Sequence, residues 1–160
     1  MNAHLAASLA VLEELYDGME DLVRGLDADC LNWTPPVPET NSISALVTHT
    51  AGSVDSWLSR ALGETIKRDR EAEFHVQCRA DELVAMIDRS RSDTRQRFSL
   101  LDQNDLATLR HVRRLSTNRE EDVSLAWCIE HALIHAGEHW GQIQLNRQLY
   151  AASHATRGGL

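Results

Sequence analysis

The chain has 160 residues, which is enough for one domain with a hydrophobic core and too few for two ordinary domains. Hydrophobic residues make up 42% of the sequence and charged residues 25%, a composition typical of folded globular proteins and not of disordered ones. The formal net charge of -8 argues against nucleic acid or an anionic membrane surface as a partner.

The N-terminal segment and the cysteines bear on the location of the protein. The segment lacks a basic start, and acidic residues from Glu13 onward interrupt its apolar run, so it predicts neither a signal peptide nor a membrane span. Cys30, Cys78 and Cys128 lie far apart without C-x-x-C spacing, which suits a reducing compartment better than a disulfide framework. We therefore expect a soluble, cytoplasmic protein.

The first half of the chain predicts two amphipathic helices joined by a rigid connection. Apolar residues recur at three- and four-residue steps from Leu5 to about Gly25, which indicates one long helix. The stretch LNWTPPVPETNS contains three prolines and disfavours helix. Ser42 or Ser44 is suited to cap the second helix, which is predicted to stop near Gly63.

The second half predicts two more helices and two long connections. Residues 64–78 are charged and lack periodicity, so they are predicted to form a loop. A third helix is expected to start near Ala80, and residues 102–122 form the other long connection. The fourth helix is expected from near Ser124 to about Tyr150.

The predicted fold is one all-α domain over residues 1–160, with a frayed tail from about residue 151. Four amphipathic helices without a convincing strand indicate a four-helix bundle. Two of its connections are longer than a simple up-down bundle needs, which predicts long crossover connections.

Three histidines recur at every fourth position of the fourth predicted helix, in the stretch CIEHALIHAGEHWGQIQL. A step of four residues in an α-helix turns by about 40° and rises by about 6 Å, so His131, His135 and His139 share one face. Imidazole nitrogens bind Zn, Ni or Fe at about 2 Å, whereas the outer two histidines are separated by about 12 Å along the axis. Either one adjacent pair binds a metal ion, or the stripe is solvated.

A third metal ligand would have to come from another helix. His49 lies between Leu46 and Val54 on the presumed core side of the second helix. A buried imidazole needs a partner, because an unsatisfied polar group in a core is costly. A metal ion shared with the fourth helix would satisfy it, and so would a hydrogen bond to a carbonyl or carboxylate. Three histidines on two helices of a small bundle favour the metal ion.

Two known metal-site motifs fit the stripe poorly. HAGEH matches the H-x-x-E-H zinc-protease pattern, which makes Glu138 a candidate general base. Those proteases are much larger than this chain, and Glu138 is predicted about 60° from His135, at the flank of the stripe. Di-iron bundles need Glu-x-x-His pairs, and no Glu in this sequence is followed by His at that spacing. A protease is therefore disfavoured and a di-iron centre is excluded.

Two segments resemble the signatures of the DinB/YfiT-like superfamily. HAGEHWGQIQLNRQL is similar to its C-terminal motif, in which His-x-x-x-His-x-Gly-Gln-Ile closes the fourth helix. LNWTPPVPETNSISALVTHTAGSVDSWL is similar to its aromatic-x-Pro loop and the Ser-Ile-x-x-Leu-Val-x-His helix that follows. Both motifs occur in the expected order, and the four-helix layout spans nearly the whole chain.

The resemblance implies a four-helix bundle with one divalent metal ion, Zn, Ni or Fe, held by three histidines. Carried over by position, the ligands are His49, His135 and His139. His131 occupies an additional turn and is expected beside the ligands, as is Gln142, whose side chain is suited to orient a ligating imidazole. The usual Arg of the family between the last ligand and the glycine is Trp140 here.

The resemblance also implies an activity. Characterised members include enzymes that transfer low-molecular-weight thiols such as bacillithiol, or that use mycothiol as a cofactor, as in maleylpyruvate isomerase. A divalent metal ion on three neutral imidazoles keeps a positive charge and open positions, so it lowers the pKa of a bound thiol to give the nucleophilic thiolate. We therefore expect a mononuclear metal-dependent enzyme that activates a small thiol for transfer or isomerisation and, from the resemblance, forms a homodimer.

Two other functions stay open. One is a non-catalytic, stress-associated or ligand-binding bundle whose metal site is structural or vestigial. The other is a metal-dependent hydrolase, for which Glu138 is the candidate base. An open coordination position beside an accessible pocket would favour the enzyme, and a closed site would favour the non-catalytic bundle.

Four further residues are candidates for substrate binding. Trp33 and Trp57 could line a pocket mouth, although aromatic residues beside core leucines more often pack. Arg113 and Arg114 belong to a basic cluster within residues 110–119. This cluster is either solvated and balanced by the acidic residues that follow, or a lid whose arginines hold a substrate carboxylate.

Overall fold

Five α-helices and a β-hairpin make up the described part of the chain in the computed structural model. The structure describes residues 1–65, 67–102, 104–114 and 119–155, with Arg114 described in its backbone only. The helices are α1 (Ala3–Arg24), α2 (Ala28–Asn32), α3 (Ile43–Leu62), α4 (Ala80–Leu101) and α5 (Leu125–Ala155). The strands are β1 (Leu109–Arg114) and β2 (Arg119–Ser124), and a short 3₁₀ turn spans Ala72–His75.

The four long helices confirm the predicted all-α architecture, and their ends follow the capping residues. The Ser42 side chain, and not that of Ser44, caps α3 by accepting a hydrogen bond from the Ala45 backbone N–H at 3.2 Å. Gly63 ends α3 in the left-handed conformation, with φ of 79°, which a residue bearing a Cβ adopts at a cost. Ser124 accepts from the Trp127 backbone N–H at 3.1 Å and so caps the first turn of α5.

The packing of the helices confirms the predicted crossover connections. Helix α3 packs against α4 and α5, and α1 packs against the same two helices. Helices α1 and α3 therefore occupy diagonal corners of the bundle, as do α4 and α5. The connections from α1 to α3 and from α4 to α5 cross the bundle, whereas residues 63–79 join the neighbouring helices α3 and α4.

Apolar side chains from the long helices form one continuous core, and polar contacts set the pairing of α1 with α4. The largest fully buried side chains include Tyr16, Leu31, Leu58, Ile87, Phe98 and Leu125. The Tyr16 hydroxyl lies 2.9 Å from Ser90 Oγ and 3.0 Å from Thr94 Oγ1, so this buried polar atom is satisfied. Arg91 of α4 pairs with Glu20 of α1 at 2.7 Å.

The prediction that the connection over residues 102–122 lacks strands was wrong. In the structure, β1 and β2 form an antiparallel hairpin with Val112 and Val123 buried beneath it. Its other positions are mostly charged, so the sequence shows little apolar alternation. Charged side chains face each other across the strands instead, as in the 2.9 Å contact between His111 Nδ1 and Asp122 Oδ1.

The fourth long helix also extends further than its pattern indicated. It was expected to fray from about residue 151, but α5 continues through Ala155. Tyr150 and His154 stack at a centroid separation of 4.0 Å, a pairing one turn apart that supports this last segment of helix. Residues 156–160 of the predicted tail lie outside the described residues. Within the part of the chain that the structure describes, no helix combines the length and apolarity needed to cross a membrane.

Candidate metal centre

Three imidazoles converge where α3 packs against α5. His49 comes from the middle of α3, and His135 and His139 come from successive turns of α5. His49 Nε2 lies 3.2 Å from His135 Nε2, and one ring nitrogen of each histidine lies within 4.8 Å of the other two. His49 is buried, and the other two are partly buried. The structure therefore brings together the three side chains that the resemblance assigned as ligands.

His49 is held by a carboxylate that the sequence reasoning missed. Its Nδ1 lies 2.8 Å from Glu73 Oε2, and because a carboxylate only accepts, His49 donates Nδ1–H to it. The Nε2 of His49 then carries a lone pair that faces His135 and His139. Glu73 in turn accepts two hydrogen bonds from Arg68, each 2.6 Å long. Carboxylates commonly orient metal-binding imidazoles in this way.

Arg68 also fixes the backbone around His49. Its Nη2 donates to the His49 carbonyl oxygen at 3.2 Å, which ties the charged loop to α3. Phe74 of the same loop stacks on the His49 ring at a centroid separation of 4.5 Å. The loop over residues 64–78, whose sequence showed only scattered charges, thus packs over one face of the site.

His139 is oriented by its own helix. Gln142 Oε1 lies 2.9 Å from His139 Nδ1 and accepts its N–H, the arrangement proposed for Gln142 from the sequence. The other nitrogen, Nε2, is buried and has no hydrogen-bond partner among the described residues. A buried polar atom without a partner is rare and costly in a folded protein. It is the atom that a metal ion would need.

The surroundings of His135 and His139 keep these two imidazoles neutral. Burial, reinforced by His139 and His49, lowers the pKa of His135 to about 3. Burial also lowers the pKa of His139, although its hydrogen bond to Gln142 acts in the opposite direction. Burial alone would raise the pKa of Glu73, but hydrogen bonds from His49 and Arg68 outweigh it and lower this pKa. Near neutral pH, His135 and His139 are therefore in the form that binds a metal ion, beside an ionised Glu73.

The described residues fit one metal ion. Two imidazole nitrogens bound to the same zinc ion at about 2.0–2.1 Å lie about 3.4 Å apart in a tetrahedral site, close to the separation of the two Nε2 atoms of His49 and His135. No other His, Cys, Asp or Glu among the described residues joins the group of three. Three protein ligands leave a coordination position open, as catalytic sites do and closed structural sites do not.

The open side of the site faces a cavity of about 470 Å³. All three histidines contribute to its lining, together with Arg70 and Phe74 of the loop over residues 64–78. Apolar side chains supply much of the remaining wall, and they are Pro35, Val37, Leu46, Leu145 and Leu149. A small organic molecule can therefore reach the histidine nitrogens from an apolar, partly enclosed space.

The candidate residues Trp33, Trp57, His131 and Glu138 lie outside the described lining of this cavity. Trp33 packs edge-on against Tyr150 at 5.7 Å, and Trp57 is buried in the core. His131 stacks on Trp127 at 4.7 Å, one turn of α5 away from His135. The Glu138 carboxylate is 66% exposed and lies 3.9 Å from His135 Nδ1, on the flank predicted from its helix position.

The described residues of the basic cluster belong to the hairpin and are absent from the described cavity lining. Arg113 pairs in register with Glu120 across the two strands, and Arg110 donates to the Ala61 carbonyl oxygen at 2.9 Å. Arg113 is absent from the described lining of the cavity. Arg114 lies at the end of β1, and its side chain is outside the described structure.

Gly52 provides the space that Glu73 and Arg68 occupy, which leads to a prediction. A Cβ at this position would lie 2.5 Å from Glu73 Oε1 and 3.2 Å from Arg68 Nε. In the interior of a helix, alanine is more favourable than glycine by about 1 kcal/mol, so the Gly52→Ala protein should fold. We expect it to displace the Glu73 carboxylate from His49 and weaken zinc binding about tenfold.

Gly137→Ala provides the matched control for this prediction. It is also a glycine-to-alanine change within a helix, on α5, and its Cβ would meet nothing within 4 Å. Competition against a chromophoric zinc chelator measures both affinities. Equal zinc affinity in the two variants would show that the contact between Glu73 and His49 does not support the site.

Comparison with known proteins identifies relatives of this fold. The sequence model of the DinB superfamily matches residues 11–143. No curated protein matches the chain. The crystal structure of a conserved protein from Enterococcus faecalis is similar over 93% of this chain and 97% of that chain, with a TM-score of 0.71 and 19% sequence identity. At that identity the likeness concerns the fold alone.

Proposed function

The chain belongs to the DinB superfamily, and from this premise we propose that it is a mononuclear metal-dependent enzyme that activates a small thiol for transfer or isomerisation. One observation carries the proposal. Three imidazole nitrogens, one of them buried without a hydrogen-bond partner among the described residues, converge on the floor of a cavity that a small molecule can enter. A site built only to hold the fold together would be closed by a fourth ligand.

His49, His135 and His139 would hold the metal ion. Three imidazoles suit zinc, nickel and iron alike. The ion would supply a positive charge that lowers the pKa of a thiol in the open position and so makes the thiolate available near neutral pH.

The protein side chains orient the ligands and shape the space in front of them. Glu73 keeps a proton on His49 Nδ1 and Gln142 keeps one on His139 Nδ1, so that each Nε2 faces the site with a lone pair. Phe74 covers the face of His49 and limits the access of water. Low access of water strengthens the electrostatic interactions between the site and an incoming charge.

The same geometry gives less support to the two alternatives. A bundle whose metal site is only structural has no need of a cavity, and a non-catalytic ligand-binding bundle would use the cavity without needing an open position on the metal ion. A hydrolase needs a general base near the reacting atoms. Glu138, the candidate for that role, is exposed and absent from the described lining of the cavity.

Thiol binding tests the proposal directly. We expect the cobalt-loaded protein to develop a sulfur-to-cobalt charge-transfer band in the near ultraviolet when 2-mercaptoethanol is added. Ethylene glycol, which replaces the sulfur with oxygen, is the matched control and should give no such band. The three cysteines of the chain are unsuited to mimic the effect, because burial raises the pKa of Cys30, Cys78 and Cys128. A cobalt-loaded protein whose spectrum responds to no small thiol would contradict the proposed activity.

A cytoplasmic location and a homodimer are also part of this proposal, on the grounds of composition and family resemblance. Ile134 of α5 is exposed and absent from the described lining of the cavity, so it offers an apolar side chain to a second copy. Multi-angle light scattering on the purified protein measures the mass in solution. A mass close to the 18.0 kDa of one chain would contradict the dimer.

A further inference from the structure

The cavity in front of the histidines is lined by an arginine, Arg70, that forms no ion pair with any carboxylate among the described residues. Arg70 is half-buried and lines the cavity with its guanidinium 5.0 Å from the centroid of the Phe74 ring. Among the described residues, no carboxylate oxygen lies within 4.0 Å of that guanidinium. Arg68, two residues earlier, is fully paired with Glu73. Of these two arginines of the same loop, Arg68 therefore supports the histidine site, whereas Arg70 lines the cavity.

The surroundings of Arg70 favour a bound anion. Arg70 is half-buried and lies against the Phe74 ring, and the cavity that it lines also has apolar walls, including Val37, Leu145 and Leu149, so water solvates the guanidinium incompletely. A partly desolvated cation without a counter-ion is unfavourable, and an anion that enters the cavity relieves this cost. Its contact with the Phe74 ring restricts the guanidinium and reduces the entropy lost on binding.

The chemistry of Arg70 selects a carboxylate among anions. A guanidinium offers two parallel N–H donors that match the two oxygens of a carboxylate. One arginine balances one negative charge, and the Glu39 carboxylate also lines the cavity, which disfavours a dianion such as phosphate. Thr40 and Asn41 add polar atoms to the lining of the cavity.

We propose that the cavity binds a small molecule with one carboxylate, which pairs with Arg70, and an apolar body, which packs against Val37, Leu145 and Leu149. That the other end of this molecule points toward the three imidazoles is inferred from the proposed function. The pairing of its carboxylate with Arg70 is independent of that function, because it does not require a thiol. The sequence suggested that arginines of the hairpin hold a carboxylate, whereas the structure assigns this role to Arg70, in the loop that also supplies Glu73.

Calorimetric titration of the zinc-loaded protein with hexanoate and with hexanamide tests the pairing, because the two probes differ only in the charged group. We expect wild type to bind hexanoate at least about tenfold more tightly than hexanamide, the difference typical of a charge-assisted bidentate contact. In Arg70→Gln the two affinities should agree within about twofold. Arg89→Gln removes an exposed arginine of α4 and should keep the wild-type preference.

Two outcomes would overturn the assignment. A preference for hexanoate that persists in Arg70→Gln, with the zinc content unchanged, would mean that the carboxylate binds the metal ion itself. Equal affinities for the two probes in wild type would mean that Arg70 selects no anion. The cobalt experiment with 2-mercaptoethanol remains independent: a preference for hexanoate without a thiol response would uphold the role of Arg70 and refute the thiol chemistry.

Discussion

Glu73→Gln is expected to weaken zinc binding about 10- to 100-fold, although residue 73 touches no metal ion. The carboxylate accepts the Nδ1–H of His49 at 2.8 Å and increases the basicity of the opposite nitrogen, which is the proposed ligand. A neutral amide polarises the imidazole less and leaves Arg68 without its ionic partner. Because the side chains of Arg68 and Glu73 are both about nine-tenths buried, we also expect the substitution to lower the free energy of unfolding of the metal-free protein by about 2 kcal/mol.

Glu71→Gln is the matched control for this effect. It makes the same substitution two residues earlier in the same loop, where the carboxylate is 80% exposed and lies 3.3 Å from His75. Competition with a chromophoric chelator gives the zinc dissociation constants, and urea denaturation gives the stabilities. Indistinguishable zinc affinities for Glu73→Gln and Glu71→Gln would remove Glu73 from the site.

His139→Leu is expected to change stability in opposite directions with and without metal. In the metal-free protein, the buried His139 Nε2 lacks a hydrogen-bond partner among the described residues, and such an atom costs about 1–3 kcal/mol. Leucine removes that polar atom, so metal-free His139→Leu should be at least as stable as wild type. Zinc at a hundredfold excess over its dissociation constant should stabilise wild type by about 2.7 kcal/mol and the variant not at all.

Thermal unfolding with and without zinc measures both effects. For a chain of this length the stabilisation corresponds to a rise of about 5–10 °C in the melting temperature of wild type. His75→Leu, the same change at an exposed histidine outside the site, should keep the full response to zinc. A zinc response that persists undiminished in His139→Leu would show that this imidazole is not a ligand.

The helices and the shared face of the three histidines of α5 follow from short-range patterns in the sequence. A repeat of four residues places His135 and His139 on one face of α5, whatever else the chain does. The apolar neighbours of His49 place it toward the core, but spacing cannot say which adjacent pair of histidines it meets. The family resemblance selected His135 and His139, and the packing of α3 on α5 brings His49 to them.

The supporting residues could not be predicted in the same way, because their positions depend on how a loop packs. Arg68 and Glu73 stand five residues apart in a charged segment without periodicity, and only the folded loop directs both toward His49. Gly52, one turn after His49 on α3, is the one local signal, since a residue without a side chain admits a close neighbour there. Sequence alone does not reveal what that neighbour is.

The hairpin and the aromatic side chains escaped prediction for another reason. The pairs that face each other across β1 and β2 include polar and opposite-charge pairs, such as His111 with Asp122, and a binary apolar pattern does not record such pairs. Trp57 packs against Trp127 at 5.4 Å within the protein. A tryptophan in the sequence looks the same whether it fills a core or lines a pocket.

Metal content is the most direct measure of the central claim that His49, His135 and His139 hold one ion. Elemental mass spectrometry on untagged protein supplied with zinc, nickel and iron should find about one metal ion per chain in wild type. His131→Ala, one turn from the site, should keep that ion, whereas His49→Ala and His135→Ala should each lose it. No metal in wild type, or metal retained in His49→Ala, would contradict a site shared between α3 and α5.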